Sequence, residues 1–226
     1  MELGQLRDRY RGQRARNYDR DRIGSAEWER EQEVVESFLR DARPRSNDLV
    51  LDIPVGTGRF LELYKSLGCR AAGLDISEEM LEQAVVRAAD LELDAELGIG
   101  DITSIAADDS SATVVICVRI LNLLGFNDFR RALAEASRVS SEYVIAGIQV
   151  RSTPTKERAP RLGPALRGLL RKSPKKKKKK VRSTEPHPEA SVLREFRKRQ
   201  LTVVRQELVV ESKSAAYYLY LLRKSK

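Results

Sequence analysis

The stretch that most constrains the fold of this chain is an apolar strand that runs through a glycine turn into a helix, at residues 49–60. Residues 48–53 are short and apolar, as a strand buried on both faces is, and apolar residues then recur at helical spacing. Gly56 and Gly58 lie between the two segments. Glycine permits positive φ and lets a ligand approach the main chain beside the free N–H groups of a helix. The stretch predicts a site for a nucleotide-like ligand, or else a turn that needs glycine for steric reasons alone.

Two later strands end in an acidic residue, as the first one does. Asp52 ends the first, and the stretches 73–77 and 98–102 are predicted to be a second and a third strand that end in Asp75 and Asp101. In open α/β sheets, ligands bind at the carboxyl edge, where an acid after the second strand accepts hydrogen bonds from ribose hydroxyls. We therefore expect the three aspartates to share one ligand-binding edge.

These residues resemble the motifs of the class I S-adenosylmethionine-dependent methyltransferases. Residues 52–58 look like the first motif, Asp75 like the ribose-binding acid, and Asp101 like the acid that meets the adenine amino group. The resemblance covers residues 15–150 well and the last forty loosely. One departure is Pro54, which stands where the family usually has its first glycine, although some members also have proline before Gly-Thr-Gly-Arg. The resemblance implies an α/β Rossmann-like, doubly wound, mostly parallel sheet with an antiparallel last strand, and S-adenosylmethionine as the cofactor.

A nicotinamide dinucleotide fold is the alternative. Its fingerprint needs a third glycine three residues after the second, for close packing and approach of the pyrophosphate, and Leu61 occupies that place. The aspartate before the glycines and the later Asp101 also fit a cofactor with an amino acid tail and no pyrophosphate. The sequence therefore favours the methyltransferase cofactor.

The resemblance also implies individual roles. The residues that it predicts to contact the cofactor are Tyr18, Asp52, Gly56, Gly58, Asp75, Ile76, Asp101, Ile102 and Val118. In relatives, an amino-terminal segment with a Tyr-Asp pair, here Tyr18-Asp19, folds over the cofactor; a solvated helix is the alternative. The exit of the fourth strand faces the methyl group in relatives, so Arg119 and Asn122 are the substrate-side candidates, although an asparagine there also caps turns.

The chain divides into four segments. We predict a helical lid segment at 1–45, a cofactor-binding core at 46–150, a basic insertion at 151–186 and a carboxyl-terminal helix with two strands at 187–226. Helices are predicted at 27–39, 78–89, 126–139 and 191–199, and further strands at 112–118, 143–150, 201–211 and 215–223. In the related fold, the last strand lies antiparallel between the fifth and sixth.

The basic insertion carries the positive charge of the chain. Residues 151–182 hold fourteen Lys or Arg and one acid, a net charge of +13, whereas the whole chain carries +9 and the rest therefore −4. Leucines and arginines at helical spacing precede the lysine run 175–180, a pattern typical of an anionic membrane surface. RNA phosphates are a second option, and a solvated loop a third. We expect residues 156–182 to select an anionic partner if they are functional.

Other sequence features narrow the function by elimination. Cys69 and Cys117 lack metal-ligand spacing and are predicted to be reduced core thiols, the single His187 makes no metal site, and no metal is expected. No segment approaches a membrane span or a signal peptide, so a cytoplasmic protein is predicted, with a membrane-peripheral location left open. The predicted function is methyl transfer to an unidentified, anionic acceptor. The alternative is a non-catalytic module of the same fold that binds RNA or a membrane.

Overall fold

The computed structural model describes residues 8–151 and 186–225, which form one mixed β-sheet with helices on both faces. The helices are α1 (Gln13–Arg16), α2 (Ala26–Ala42), α3 (Leu61–Leu67), α4 (Glu78–Asp90), α5 (Phe126–Val139) and α6 (Glu189–Lys198), with a 3-10 turn at Leu121–Leu123. The strands are β1 (Leu49–Asp52), β2 (Arg70–Asp75), β3 (Ala95–Ile99), β4 (Ala112–Cys117), β5 (Ser140–Arg151), β6 (Leu201–Glu211) and β7 (Ala215–Lys224).

The sheet has seven strands in the order β3-β2-β1-β4-β5-β7-β6. The first five run parallel to their neighbours, whereas β7 is antiparallel to both β5 and β6. This arrangement confirms the predicted Rossmann-like sheet, including the last strand inserted between the fifth and the sixth. The carboxyl ends of β1, β2 and β4 therefore meet at one edge.

Two apolar layers hold the sheet between its helices. One layer packs α5 and α6 against Val115, Cys117 and their neighbours, and the other packs α2, α3 and α4 against Val114 and Ile116. Alternate residues of β4 thus enter opposite layers, which explains why its sequence is continuously apolar. Cys69 and Cys117 are buried and unbridged, as predicted.

Some local predictions were wrong. The third strand ends at Ile99, and Asp101 lies in a turn where its Oδ1 accepts hydrogen bonds from the Thr103 N–H at 2.7 Å and hydroxyl at 2.9 Å. An aspartate that bonds the backbone two residues on favours a turn over a strand. On α4, Val85 is 49% exposed, because Met80, Ala84 and Ala88 form the buried stripe.

The helix bounds otherwise follow the predictions closely. Ser77 caps α4 by accepting a hydrogen bond from the Met80 N–H at 3.4 Å, as its position before two acidic residues predicts. Within the described ranges, no helix is long and apolar enough to cross a membrane. The prediction for the basic insertion falls almost wholly on residues 152–185, which lie outside the described part of the chain.

Candidate functional site

The glycine turn after β1 gives its two glycines different roles. Gly56 has φ +58° and Gly58 has φ +76°, both in the left-handed region. A Cβ on Gly58 would lie 2.6 Å from Leu61 Cδ1 and 3.1 Å from Ala84 Cα, so this glycine permits close packing of α3 on α4. A Cβ on Gly56 would meet only Met80 Cε, at 3.6 Å. The main chain is therefore accessible at Gly56 and covered at Gly58.

Asp75, at the carboxyl end of β2, is joined to the glycine turn. Its Oδ2 accepts a hydrogen bond from the Gly56 N–H at 2.9 Å, and its Oδ1 accepts one from the Ser77 N–H at 2.8 Å. Burial raises the pKa of Asp75 to about 6, and these backbone hydrogen bonds limit the rise. At pH 7, Asp75 is thus mainly a carboxylate, and its remaining lone pairs can accept hydrogen bonds from ligand hydroxyls.

A cavity opens above Gly56 at this edge of the sheet. Its wall is mostly apolar and aromatic, with a few polar groups; the lining residues are Tyr10, Tyr18, Trp28, Pro54, Val55, Gly56, Thr57, Arg59, Phe60, Asp75, Ile76, Met80, Val118, Arg119, Ile120 and Leu123. An apolar wall with a few convergent polar groups is typical of small-molecule sites. The cavity volume is about 80 Å³, room for a few water molecules.

The amino-terminal segment, residues 8–24, forms the roof of this cavity. Asp19 accepts a hydrogen bond from the Thr57 hydroxyl at 2.7 Å and pairs with Arg87 at 2.7 Å. The Ser77 hydroxyl donates to the Tyr10 carbonyl at 2.7 Å, and burial raises the pKa of Tyr18 to about 12, so its hydroxyl stays protonated. The segment lies where the predicted lid is expected; closure over a ligand stays a prediction.

A buried ion cluster forms the wall on the α2 side. Glu31, with no exposed surface, pairs through Oε2 with Arg59 Nη1 at 2.6 Å and Arg119 Nε at 2.7 Å. The Arg59 guanidinium stacks over the Trp28 ring, 3.6 Å from its centroid. Burial lowers the pKa of Arg59, and the charge of Glu31 opposes that shift. Burial would also lower the pKa of Arg119, but Glu31 outweighs it and raises that pKa.

Asp52 lies beneath the cavity, in the core. It is 2% exposed, and its Oδ2 accepts a hydrogen bond from the Tyr64 hydroxyl at 2.8 Å. Its Oδ1 has no hydrogen-bond partner among the described residues. Burial raises the pKa of Asp52 to about 7, although the Tyr64 hydrogen bond opposes the rise. This carboxyl group therefore changes its charge near neutral pH without touching the cavity.

The structure brings together part of the predicted site. The predicted residues that line the cavity are Tyr18, Gly56, Asp75, Ile76, Val118 and Arg119. The predicted residues that do not line it are Asp52, Gly58, Asp101, Ile102 and Asn122. Ile102 is 4% exposed and packs in the core, and Asn122 lies in the 3-10 turn.

Some lining and supporting residues were missed from the sequence. Thr57 and Arg59 stand in the Gly-Thr-Gly-Arg motif itself, so the motif offered a signal for both. Glu31 gave none, because a glutamate within a charged amphipathic helix is ordinarily exposed. His187 is buried away from the cavity, where its Nε2 lies 3.1 Å from the Leu121 carbonyl oxygen and burial lowers its pKa.

No cluster of three or more potential metal ligands occurs in the part of the chain that the structure describes. That no metal takes part stays a prediction. The described site presents a carboxylate and an open glycine main chain, groups that can bind a nucleoside-like ligand.

Comparison with known proteins identifies the fold. Residues 50–142 match the family model described as a methyltransferase domain. No protein with curated annotation matches the chain. The magnesium protoporphyrin IX methyltransferase of Synechocystis PCC 6803 with bound SAH superposes with a TM-score of 0.72 at 14% identity, over 99% of this chain and 100% of that one.

Two further solved structures have the same fold. A geranyl diphosphate methyltransferase in complex with GPP and sinefungin gives a TM-score of 0.63 at 13% identity, over 85% of this chain and 78% of that one. The PH0226 protein of Pyrococcus horikoshii OT3 gives a TM-score of 0.55 at 21% identity, over 79% of this chain and 82% of that one. The family match across the glycine turn and the shared fold confirm the resemblance found in the sequence.

Proposed function

We propose that this chain, which has the class I S-adenosylmethionine-dependent methyltransferase fold and a methyltransferase domain at residues 50–142, transfers a methyl group from S-adenosylmethionine to an acceptor. The observation that carries the proposal is the Asp75 carboxylate at the cavity, which accepts a hydrogen bond from the Gly56 N–H at 2.9 Å. A buried, ionised acid beside an open glycine main chain suits a ribose diol.

S-adenosylmethionine is the cofactor of this fold, and the described residues fit it. Asp75 has lone pairs for the ribose hydroxyls, the open main chain at Gly56 permits close approach, and Ile76 and Val118 offer apolar contacts. When bound, the cofactor supplies an electrophilic methyl group on a sulfonium. The structure therefore supports Asp75, Gly56, Ile76 and Val118 as cofactor-binding residues, with Tyr18 above them.

The residues of the chain then have to position the acceptor and exclude water. The apolar and aromatic wall, which includes Phe60, Ile120 and Leu123, removes water from the cavity. The roof held by Asp19 covers the mouth. We place Arg119 and Asn122 on the acceptor side, because Arg119 lines the cavity at the end of β4 and Asn122 lies in the turn that follows.

Entry of a nucleoside-sized ligand requires the roof to move. A cavity of about 80 Å³ holds only a few water molecules. The hydrogen bonds and ion pairs that fasten the roof join Asp19 to Thr57 and Arg87, Tyr10 to Ser77, Gly12 to Glu79 and Ala15 to Gln83. We infer that residues 8–24 swing aside on binding and close again afterwards, which is the lid role that the sequence predicts.

Calorimetric titration with S-adenosylmethionine and S-adenosylhomocysteine tests the proposal. We expect the parent protein to bind both compounds. The Asp75→Asn variant should bind them more weakly, because its amide has one acceptor oxygen in place of the two of the carboxylate. A matched control is Asp94→Asn, at an exposed position. If the parent protein bound neither compound, the proposal would be contradicted.

A methyl-label screen over lipid, RNA and small-molecule fractions would identify the acceptor. Replacing residues 156–182 with a short Gly-Ser linker, with cofactor binding as the control, tests whether their charge selects an anionic partner such as RNA or a membrane. Label transfer to any fraction would exclude the alternative, a non-catalytic module. Cofactor binding without transfer to any fraction would favour that alternative.

A further inference from the structure

We propose that the acceptor carries an anionic group, a carboxylate or a phosphate, which Arg119 binds in exchange for its resting partner Glu27. This inference rests on the proposed function, since it names the class of acceptor for the same cavity. It concerns the end of the cavity at Arg119, away from Asp75 and Gly56.

Arg119 and Asp75 lie at opposite ends of the cavity. Asp75 ends β2, Gly56 follows β1 and Arg119 follows β4, and the sheet order places β1 between β2 and β4. Neighbouring strands are about 4.8 Å apart, so roughly 10 Å of sheet separate the two backbones. The Arg119 N–H donates to the hydroxyl of Tyr217 on β7 at 3.3 Å, on the side away from β2. The ribose end therefore carries a carboxylate and the other end a guanidinium.

The two carboxylates that pair with Arg119 differ in mobility. Glu31 is wholly buried and also pairs with Arg59 at 2.6 Å, so it is fixed in the wall. Within residues 8–151 and 186–225, the Glu27 carboxylate pairs with Arg119 Nη2 alone, at 3.1 Å, and its side chain is 42% exposed. Ion pairs of exposed side chains contribute little to stability. Glu27 can therefore leave Arg119 and return to water at small cost, whereas Glu31 cannot.

The charges of the cluster leave a place for an anion. Arg59 and Arg119 carry two positive charges against the single negative charge of the buried Glu31, and among the described residues Glu27 is the further carboxylate that pairs with them. An anion in the apolar cavity would accept a charge-assisted hydrogen bond from Arg119. Water would screen this interaction less than it screens the ion pair between Glu27 and Arg119. Trp28, Ile120 and Leu123 would contact the apolar part of the same molecule.

The backbone at Arg119 supports a binding role. Its φ is +62°, a conformation that residues other than glycine rarely adopt and that has an energetic cost. Such residues concentrate at ligand-binding sites, where the surrounding structure holds them. Here the conformation places the guanidinium on the cavity wall beside Val118 and Ile120, with 25% of the side chain exposed.

The experiment compares benzoate and phenyl phosphate with neutral benzamide, titrated onto the protein with and without saturating S-adenosylhomocysteine. We expect benzoate or phenyl phosphate to bind at least tenfold more tightly than benzamide. Glu27→Gln should increase the affinity for the anion several-fold, because the substitution removes the competing carboxylate. Arg119→Ala should abolish the preference, and Arg119→Lys, which keeps the charge beside Glu31, should retain part of it. Arg30→Ala, on the same helix as Glu27 and with its side chain 41% exposed, is the control and should leave the anion preference unchanged.

Three results would overturn the inference. One is equal binding of benzoate, phenyl phosphate and benzamide by the parent protein. Another is an anion preference that survives Arg119→Ala. The third is an Arg119→Ala variant with reduced affinity for S-adenosylhomocysteine but unchanged affinity for 5′-methylthioadenosine, which lacks the amino acid tail. Arg119 would then bind the cofactor and not the acceptor. A protein that binds no S-adenosylhomocysteine but keeps the Arg119-dependent preference would contradict the proposed function and leave the anion site standing.

Discussion

The two walls of the cavity are built in different ways. The cofactor wall comes from residues 50–142, the range that matches the methyltransferase model, and its key contact joins Asp75 to the Gly56 main chain, 19 residues away. The opposite wall, beside α2, depends on side chains: Glu31 reaches Arg59 across 28 positions and Arg119 across 88. The first wall thus rests on contacts within the matched range, whereas the second also needs Glu31, which lies outside that range.

The same contrast appears in how each wall carries charge. The Asp75 carboxylate accepts hydrogen bonds from backbone N–H groups, which the strand and turn fix in place. Glu31 is balanced by two arginine side chains, which must be ordered together with it. Substitutions in the second wall should therefore affect folding, and substitutions at Asp75 should affect mainly binding.

The largest effect is expected at Glu31. Glu31→Ala leaves the guanidinium groups of Arg59 and Arg119 without their buried partner, so the free energy of unfolding should fall by about 3–5 kcal/mol. Urea unfolding measures it. The control is Glu33→Ala on the same helix, whose side chain is 68% exposed, with an expected change within about 0.5 kcal/mol. Equal losses for both variants would show that the cluster does not hold the second wall.

The next effect is a dependence of stability on pH within the cofactor half. Burial raises the pKa of Asp52 from 3.8 to about 7 and that of Asp75 to about 6, so the folded state binds more protons than the unfolded state between about pH 4 and pH 7. The free energy of unfolding should therefore fall as the pH rises through this window. At about 1.36 kcal/mol per pKa unit, Asp52 accounts for at most about 4 kcal/mol.

Asp52→Asn should remove most of that pH dependence, because the amide does not ionise. Urea unfolding at pH 5 and pH 8 gives the comparison, with Asp94→Asn, at an exposed position, as the control. If the stability of the variant still fell by the parental amount between the two pH values, folding would not shift the pKa of Asp52.

Gly58 separates a packing role from a binding role. Gly58→Ala should lower the free energy of unfolding by about 2–3 kcal/mol, because its φ is +76° and the added Cβ would meet Leu61 and Ala84. Gly68→Ala, at φ +66° with no neighbouring atom within 4 Å, should cost only about 1 kcal/mol. Affinity for S-adenosylhomocysteine, measured on folded protein, should stay unchanged in both. Loss of affinity in Gly58→Ala alone would restore its predicted cofactor contact.

The smallest effect concerns the attachment of the roof to the cofactor wall. Asp19→Asn weakens the contacts to Thr57 and Arg87, so the free energy needed to open the roof should fall by roughly 1 kcal/mol. Hydrogen exchange in residues 13–22 should accelerate several-fold, and S-adenosylhomocysteine should bind faster. Asp21→Asn, with a side chain 61% exposed, is the control. Unchanged exchange in the Asp19 variant would mean that other contacts hold the roof.

The sequence predicts the cofactor wall well because its signals are local. The apolar run of β1, the glycines, the aspartate after β2 and the serine cap of α4 each specify structure within a few residues. The sheet order follows from the resemblance. Asp52, Gly58 and Ile102 were predicted to contact the cofactor and do not line the cavity. Neither does Asp101, whose turn bonds to Thr103 compete with the strand by the same kind of local interaction.

The second wall escaped prediction for a physical reason. Periodicity in α2 predicts which face is buried, but not that Glu31 on that face pairs with arginines from two other segments. Trp28 and Gln32 are only partly buried, because Val34, Val35 and Phe38 form the buried stripe with Glu31. Long-range side-chain pairing leaves no periodic trace in a single sequence.

One titration tests the central claim that Asp75 and the Gly56 turn form the S-adenosylmethionine site. Calorimetry should show S-adenosylhomocysteine bound by the parent protein, and bound by folded Asp75→Ala with about 1.5–3 kcal/mol less affinity, the usual contribution of hydrogen bonds to a charged group. The loss should occur without a matching loss of stability, unlike that of Glu31→Ala. Equal affinity of the parent and the Asp75→Ala variant would contradict the claim.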